Sequence, residues 1–154
     1  MSKGIAIPLD DGLKVAEQYA AEHFAEGTRW MLCGSARRKE ATIRDLDFVV
    51  LDAEKKGTQG KDTAEMFCPD CGKPLNIKIQ IWYCDEASWV PMIFFATGSG
   101  QYNIISRTCA KKKGLKLTRY ALTVRATGEV IPVANEWDLQ QKVGRTPRPP
   151  EERS

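Results

Sequence analysis

Residues Gly34–Phe48 read GSARRKEATIRDLDF: a Gly-Ser turn, two adjacent arginines, then two aspartates separated by one leucine. The apolar run within Arg44–Asp52, RDLDFVVLD, predicts a strand. Strand alternation then puts Asp45 and Asp47 on one face and Leu46 and Phe48 on the other. Two carboxylates on one face repel, and burial raises the cost of charging either. A positive group is therefore expected between them, and the rest of the chain must complete the site.

The chain has 154 residues, of which 42% are hydrophobic, enough for a core and against disorder. No apolar run approaches the roughly 18 residues of a membrane span, and MSKGIAIPLD lacks the apolar region of a secretory signal. The expectation is a cytoplasmic protein, of a cell or a virus-infected cell. Five cysteines, Cys33, Cys68, Cys71, Cys84 and Cys109, are odd in number and widely spaced, which argues against a disulfide framework. The net charge is only +3, but no acidic residue occurs from Ala87 to Gly128. That segment carries Arg107, Lys111, Lys112, Lys113, Lys116, Arg119 and Arg125, which points to a polyanionic partner.

The elements around the acidic pair follow from periodicity and punctuation. Asp10–Gly27, DDGLKVAEQYAAEHFAEG, predicts an amphipathic helix with an aspartate start and a glycine stop. TRWMLC is a short strand entering Gly34-Ser35. EKKGTQGKD, Glu54–Asp62, reads as a loop or hairpin tip. LNIKIQIWYC alternates, with Ile77, Ile79 and Ile81 on one side and Lys78, Gln80 and Trp82 on the other. SWVPMIFFATGSG reads as a helix that Pro91 starts or kinks, followed by a second helix closed by Gly114. Short strands over Leu115–Val133 turn at Thr127-Gly128, and a last helix takes Asn135 as its cap. The tail RTPRPPEERS either docks on the surface or frays. The fold class expected is α+β, with an antiparallel-leaning mixed sheet and helices first and a small α/β lobe after it.

Two segments carry a resemblance. Gly34-Ser35, the short helix after it and Asp45-x-Asp47 resemble the nucleotidyltransferase signature of the family X DNA polymerases, the polymerase beta-like enzymes. FFATGSGQYNIISRTCAKKKGLKLTRYAL, Phe94–Leu122, is similar to that family's run from an aromatic pair and Thr-Gly-Ser to a Lys-Gly turn and a tyrosine. The ending RPPEERS looks like the family's tail, and the likeness runs from Ile7 to the end apart from the stretch between Asp52 and Leu75. The resemblance implies a catalytic palm over residues 1–90 and a nucleotide-selecting C-terminal lobe over 91–154. Asp45 and Asp47 would hold Mg²⁺ or Mn²⁺, an assignment that suits hard oxygen ligands and relieves their repulsion. Gly34 and Ser35 would cradle phosphates, with Arg38, and more weakly Arg37, neutralising a phosphate oxygen. Phe95, Ala96, Thr97 and Gly98 would lie beside the sugar, Asn103 at the base and Arg107 on the template strand. Tyr120 would help anchor the lobe. The partners implied are a dNTP and template-primer or gapped DNA, bound by a monomer in gap filling or repair.

The sequence departs from the pattern in four places. The third catalytic aspartate of the family falls on Gln80, which supplies neither charge nor base. Three explanations compete: an engineered or natural inactivation that leaves a nucleotide- or DNA-binding protein, Asp85 or Asp70 filling in from an altered loop, or an enzyme that runs slowly with two carboxylates and a water; transfer to a non-DNA acceptor is a further alternative. Ala96 stands where the family has a bulky ring. No lyase domain and no helix-hairpin-helix motif is visible, as in the smallest viral members. FCPDCGKP holds Cys68 and Cys71 as half a zinc site, with Cys84 and His23 the candidates to complete it.

Overall fold

The computed structural model describes residues 6–68 and 71–154. After a two-residue strand β1 (Ile7–Pro8), helix α1 (Leu9–His23) leads to β2 (Trp30–Leu32) and the one-turn helix α2 (Gly34–Arg37). Then come β3 (Thr42–Ile43), β4 (Asp45–Leu51), β5 (Gln59–Phe67) and β6 (Pro74–Cys84). The C-terminal part holds α3 (Trp89–Thr97), α4 (Gly100–Lys112), β7 (Leu115–Leu117), β8 (Leu122–Val124), β9 (Val130–Ile131) and α5 (Glu136–Lys142). The α+β class holds, with a sheet more mixed than expected. Its strand order is β2-β4-β6-β5, with β4 and β6 parallel and both outer pairs antiparallel.

Alternation along β4 decides which face each layer covers. Leu46, Phe48 and Val50 point into a core with Ile77, Ile79 and Ile81 of β6 and Ala16 and Tyr19 of α1. The opposite face buries Val49 with Cys33, Cys84, Met92 and Ile93, so α3 covers that end of the sheet. Asp45 and Asp47 occupy the same face beyond the helix. The next residue of α3, Phe94, belongs instead to the core of the C-terminal part, with Tyr102, Leu117, Leu122, Leu139 and Val143. Helix α3 therefore has one side in each core.

Local reading needed correction at several points. Helix α1 begins at Leu9 with Pro8 at its cap position, and Asp10 and Asp11 sit in its first turn, where the helix dipole favours them. Pro91 lies in the first turn of α3, where its missing N–H costs no helical bond. Residues 59–62, expected in a loop or tip, are paired strand. All nine residues of β5 are in register with β6, from Gln59 opposite Trp82 to Phe67 opposite Pro74. Pairing satisfies every second backbone group there and overrides the polar composition. Tyr120 is exposed, with Lys56 over its ring, and is not a buried anchor. Asn135 does cap α5, accepting from the Asp138 N–H.

The tail docks. Arg153 is 3% exposed; its Nε donates to the Arg148 carbonyl and its Nη1 to Glu136 Oε1 at 2.9 Å. Arg37 Nη1 donates to the same Glu136 oxygen at 2.7 Å and to Thr97 Oγ1 at 2.8 Å. One carboxylate of α5 thus ties α2, the end of α3 and the tail together. No helix of the described residues is long and apolar enough to cross a membrane.

Burial by itself would raise the Glu136 carboxyl, but the hydrogen bonds and charge of Arg37, followed by those of Arg153, hold it below its ordinary value. Its stabilising contribution is complete above the unfolded carboxylate range and is lost as pH falls through the lowered folded value. Glu136→Gln is expected to cost about 3–5 kcal/mol at pH 7, because the buried Arg153 and half-buried Arg37 guanidinium groups lose their counter-charge. Denaturant titrations should show that gap narrowing from pH 5 to pH 3; a gap constant with pH would contradict the assignment.

Candidate active site

The turn from β2 into α2 is built around Asp47. The Cys33 N–H donates to the Asp47 carbonyl at 2.6 Å, and Gly34 follows with φ +64°. A side chain at Gly34 would strike the Asp47 carboxylate, so only glycine permits this approach. Ser35 and Arg38 are thereby carried to the same side as the acidic pair. From the other direction, α3 ends at Thr97 and Gly98 (φ +69°) turns the chain into α4. Arg38 Nη1 donates to the Thr97 carbonyl and Nη2 to Glu40 Oε1 at 3.1 Å, spanning the two turns.

Between them lies an open cavity of about 330 Å³. Gly34, Ser35 and Arg38 form one wall, Asp45 and Asp47 the floor, and Phe95, Ala96, Thr97, Gly98 and Asn103 the opposite wall. The residues expected to contact nucleotide, apart from Arg37, are thus brought together from two segments far apart in sequence, while Gln80 is not in the lining. Trp82 completes the lining. Sequence reasoning did not place it in the site, although alternation had put it on the face of Gln80 and Lys78. Its ring meets Phe95 edge-on at 5.4 Å.

Asp47 is pushed up to about 7, first by burial and then by the charge of Asp45, with Arg38 partly offsetting both. Among the described residues neither Asp45 nor Asp47 forms an ion pair. Two adjacent carboxylates with this unrelieved repulsion fit a divalent cation that takes oxygen ligands and keeps waters or phosphates in its remaining positions. Gln80 stands directly opposite Asp47 in the parallel β4–β6 pair, and Lys78 opposite Asp45. Across the next pair, Lys61 is opposite Gln80 and Thr63 opposite Lys78. The expected position of a third acid is therefore flanked by two lysines. Asp85 does not replace it. It follows the end of β6, five residues and about 17 Å along the chain from Gln80, and is held to about 2 chiefly by Ser88 and Lys56. Asp70 lies outside the described residues.

Asn103 Nδ2 donates to the Phe95 carbonyl at 2.8 Å, and its buried Oδ1 has no partner among the described residues. One turn on, Arg107 is exposed, and Lys111 follows on the same side of α4. Lys112, Lys113 and Lys116 are exposed as well, the stem of Lys113 lying against Gly144. Arg119 differs: its guanidinium lies 4.3 Å over Phe95 and 5.2 Å from Trp82, against the site and not on an open face. Arg37, the weaker phosphate candidate, is consumed by Glu136 and Thr97. For zinc, Cys84 is buried at the far end of β6 and His23 packs on Tyr19, so neither completes a site with Cys68 and Cys71.

Without cations, ionising Asp47 costs the folded state free energy that accrues as pH rises from about 4 to about 7 and then stays constant. Asp47→Asn removes that cost. In divalent-free buffer it should raise stability at pH 8, by up to about 4 kcal/mol, and change little at pH 4. Equal effects at both pH values in thermal or denaturant melts would contradict this.

Residues 92–154 match the family model described as DNA polymerase beta thumb. The chain is 23% identical to DNA polymerase lambda of Rattus norvegicus, over 96% of this chain and 33% of that protein. It is 26% identical to repair DNA polymerase X of African swine fever virus, over 80% of each chain. The chain thus spans about a third of the rat relative and four-fifths of the viral one. The thumb match, which follows the sheet carrying the paired aspartates, and the two relatives support a likeness to the family X DNA polymerases.

Proposed function

We propose that this chain is a nucleotidyltransferase that adds a deoxynucleotide to the 3′-hydroxyl of a DNA strand, in gap filling or repair. The supporting observation is the single cavity in which the Gly34–Asp47 and Phe95–Asn103 segments meet. The names of both relatives, a DNA polymerase and a repair DNA polymerase, point the same way. We divide the chain into a palm, 1–90, and a nucleotide-selecting lobe, 91–154, a boundary that falls in the first turn of α3.

Asp45 and Asp47 would hold Mg²⁺ or Mn²⁺, which when bound supplies charge neutralisation for the triphosphate and lowers the cost of ionising the acceptor hydroxyl. Ser35 and Arg38 face the space a triphosphate would fill, with the Arg38 charge suited to a non-bridging oxygen. Phe95 and Ala96 bound the sugar. Asn103 Oδ1, buried and unpartnered, is an acceptor or, with the amide turned, a donor for a base edge. Arg107 and Lys111 extend from Asn103 along α4 toward a nucleic-acid strand, with Lys112, Lys113 and Lys116 adding backbone charge. Arg119 acts here by bracing Phe95. Binding through these cations should weaken steeply with salt. This basic row favours a nucleic acid over a small-molecule acceptor.

Gln80 supports a second reading, a nucleotide- or DNA-binding protein with impaired transfer. A carboxamide beside Asp47 can orient an acceptor but takes no proton, and flanking Lys61 and Lys78 oppose cation binding there. Primer extension on gapped duplex with Mg²⁺ or Mn²⁺ separates the readings. Gln80→Asp should accelerate extension by about 10²–10³-fold, the scale of one strong electrostatic group. Extension only by the variant supports the binding protein. Nucleotide binding without extension by either chain points to another acceptor, and no nucleotide uptake in Mg²⁺ overturns the proposal.

Ala96 leaves space beside the sugar. Ala96→Phe should lower ribonucleotide use relative to deoxyribonucleotide by about tenfold or more, the scale of about 1.4 kcal/mol. Competition assays giving the same discrimination for both chains would exclude Ala96 as the determinant.

A further inference from the structure

We propose that the open face of β5 and β6 beside the acidic pair is a binding site for a terminal phosphate, carried at the 3′ end of an acceptor strand. Lys61, Thr63, Lys78 and Gln80 line an open hollow of about 450 Å³ there. The strand register fixes their arrangement. Lys61 is directly opposite Gln80 and Thr63 opposite Lys78, which leaves the two lysines as diagonal neighbours on one face. Diagonal positions on adjacent strands are roughly 7–8 Å apart, within the reach of long side chains. Helix α1 covers the other face of the sheet and α3 only the Val49 end of this one. Lys61, Thr63 and Lys78 are accordingly exposed, and Gln80 is half-buried.

The hollow is rich in donors. Two ammonium groups, the Thr63 hydroxyl and the Gln80 carboxamide can all donate to an anion. Among the described residues neither Lys61 nor Lys78 forms an ion pair. Asp62, also in the lining, is turned to α1, where it accepts from the Tyr19 hydroxyl at 2.7 Å and from the Thr63 N–H at 2.8 Å. Glu65, the next acid along β5, stands two residues beyond Thr63, opposite Asn76. A phosphomonoester carries a charge of about −1.5 to −2 at pH 7 and three acceptor oxygens, so it matches two cations better than a singly charged internal phosphodiester does. Gln80 is the informative position: a carboxylate there would repel a phosphate, whereas the carboxamide donates to it. The choice of end rests on the proposed transfer reaction. Gln80 is opposite Asp47 and Lys78 opposite Asp45, so the hollow adjoins the place where that reading puts the acceptor's 3′ terminus.

The test compares binding of the full chain to gapped duplexes whose upstream strand ends in a 3′-phosphate or a 3′-hydroxyl, by fluorescence anisotropy in EDTA at pH 7 and low salt. The 3′-phosphate duplex should bind about tenfold more tightly, the scale of one hydrogen bond between charged groups. Lys61→Ala and Lys78→Ala should each remove most of that preference, and Gln80→Asp should abolish it. Lys112→Ala should weaken both duplexes alike and keep the preference. A phosphate placed instead on the 5′ side of the gap should bring no gain. Circular dichroism confirms that each variant is folded. Equal affinity for the two ends, a preference that survives in both lysine variants, or an equal gain from the 5′-phosphate would overturn the proposal. No nucleotide or metal is present, so a failure of triphosphate uptake at Asp45 and Asp47, measured separately, counts against the transfer reading and leaves this comparison intact.

Discussion

The geometry of the candidate active site depends on one buried carboxylate. Glu136 receives Arg37 from α2 and Arg153 from the tail, with Arg37 also reaching Thr97. These are charged groups in a poorly hydrated place, where an unmatched guanidinium is costly, so each fixes the others' positions. Arg37 is adjacent to Arg38, and Thr97 is the last residue before the Gly98 turn. Holding both therefore sets the distance between the wall that carries Ser35 and the wall that carries Phe95 and Asn103. The cavity is a gap between two cores, which this tie holds in register together with α3 and the contact of Arg119 with Trp82.

The second constraint is electrostatic. Asp45 and Asp47 repel, and burial adds to the cost of the charged form at Asp47. The fold leaves this conflict in place. Nearby cations are spent elsewhere, Arg37 on Glu136 and Arg38 in part on Glu40 and the Thr97 carbonyl. Unrelieved charge of this kind costs the folded state stability and is what a bound divalent cation would offset. Gln80, with Lys61 and Lys78 on either side, shifts the balance: beyond Asp47 the sheet face turns from acidic to basic within one strand. That face suits a phosphodiester better than a second cation.

Aromatic packing then shapes the cavity. Trp82 from the sheet, Phe95 from α3 and Arg119 from the β7–β8 turn form a stack that bridges both cores. A guanidinium over an aromatic face is held by the ring quadrupole and stays partly solvated, so it braces Phe95 without sealing the site.

Much of this was legible in the sequence. Alternation has a period of two, so the shared face of Asp45 and Asp47 and the buried face of Leu46 and Phe48 follow from order alone. The Gly34-Ser35 turn, the Asn135 cap and the basic row Arg107–Lys111 are similarly local. Roles set by distant partners were not legible. Of two adjacent arginines, only tertiary structure sends Arg37 into Glu136 and leaves Arg38 at the cavity. Polar residues 59–62 become strand because β6 offers them hydrogen bonds, and Tyr120 is exposed because the lobe's core closes without it. The sequence by itself determined which chemical groups each element could present, because side-chain direction within an element is a short-range property. Only the tertiary structure decided which of them meet, because burial, charge pairing and cavity shape depend on residues far apart along the chain.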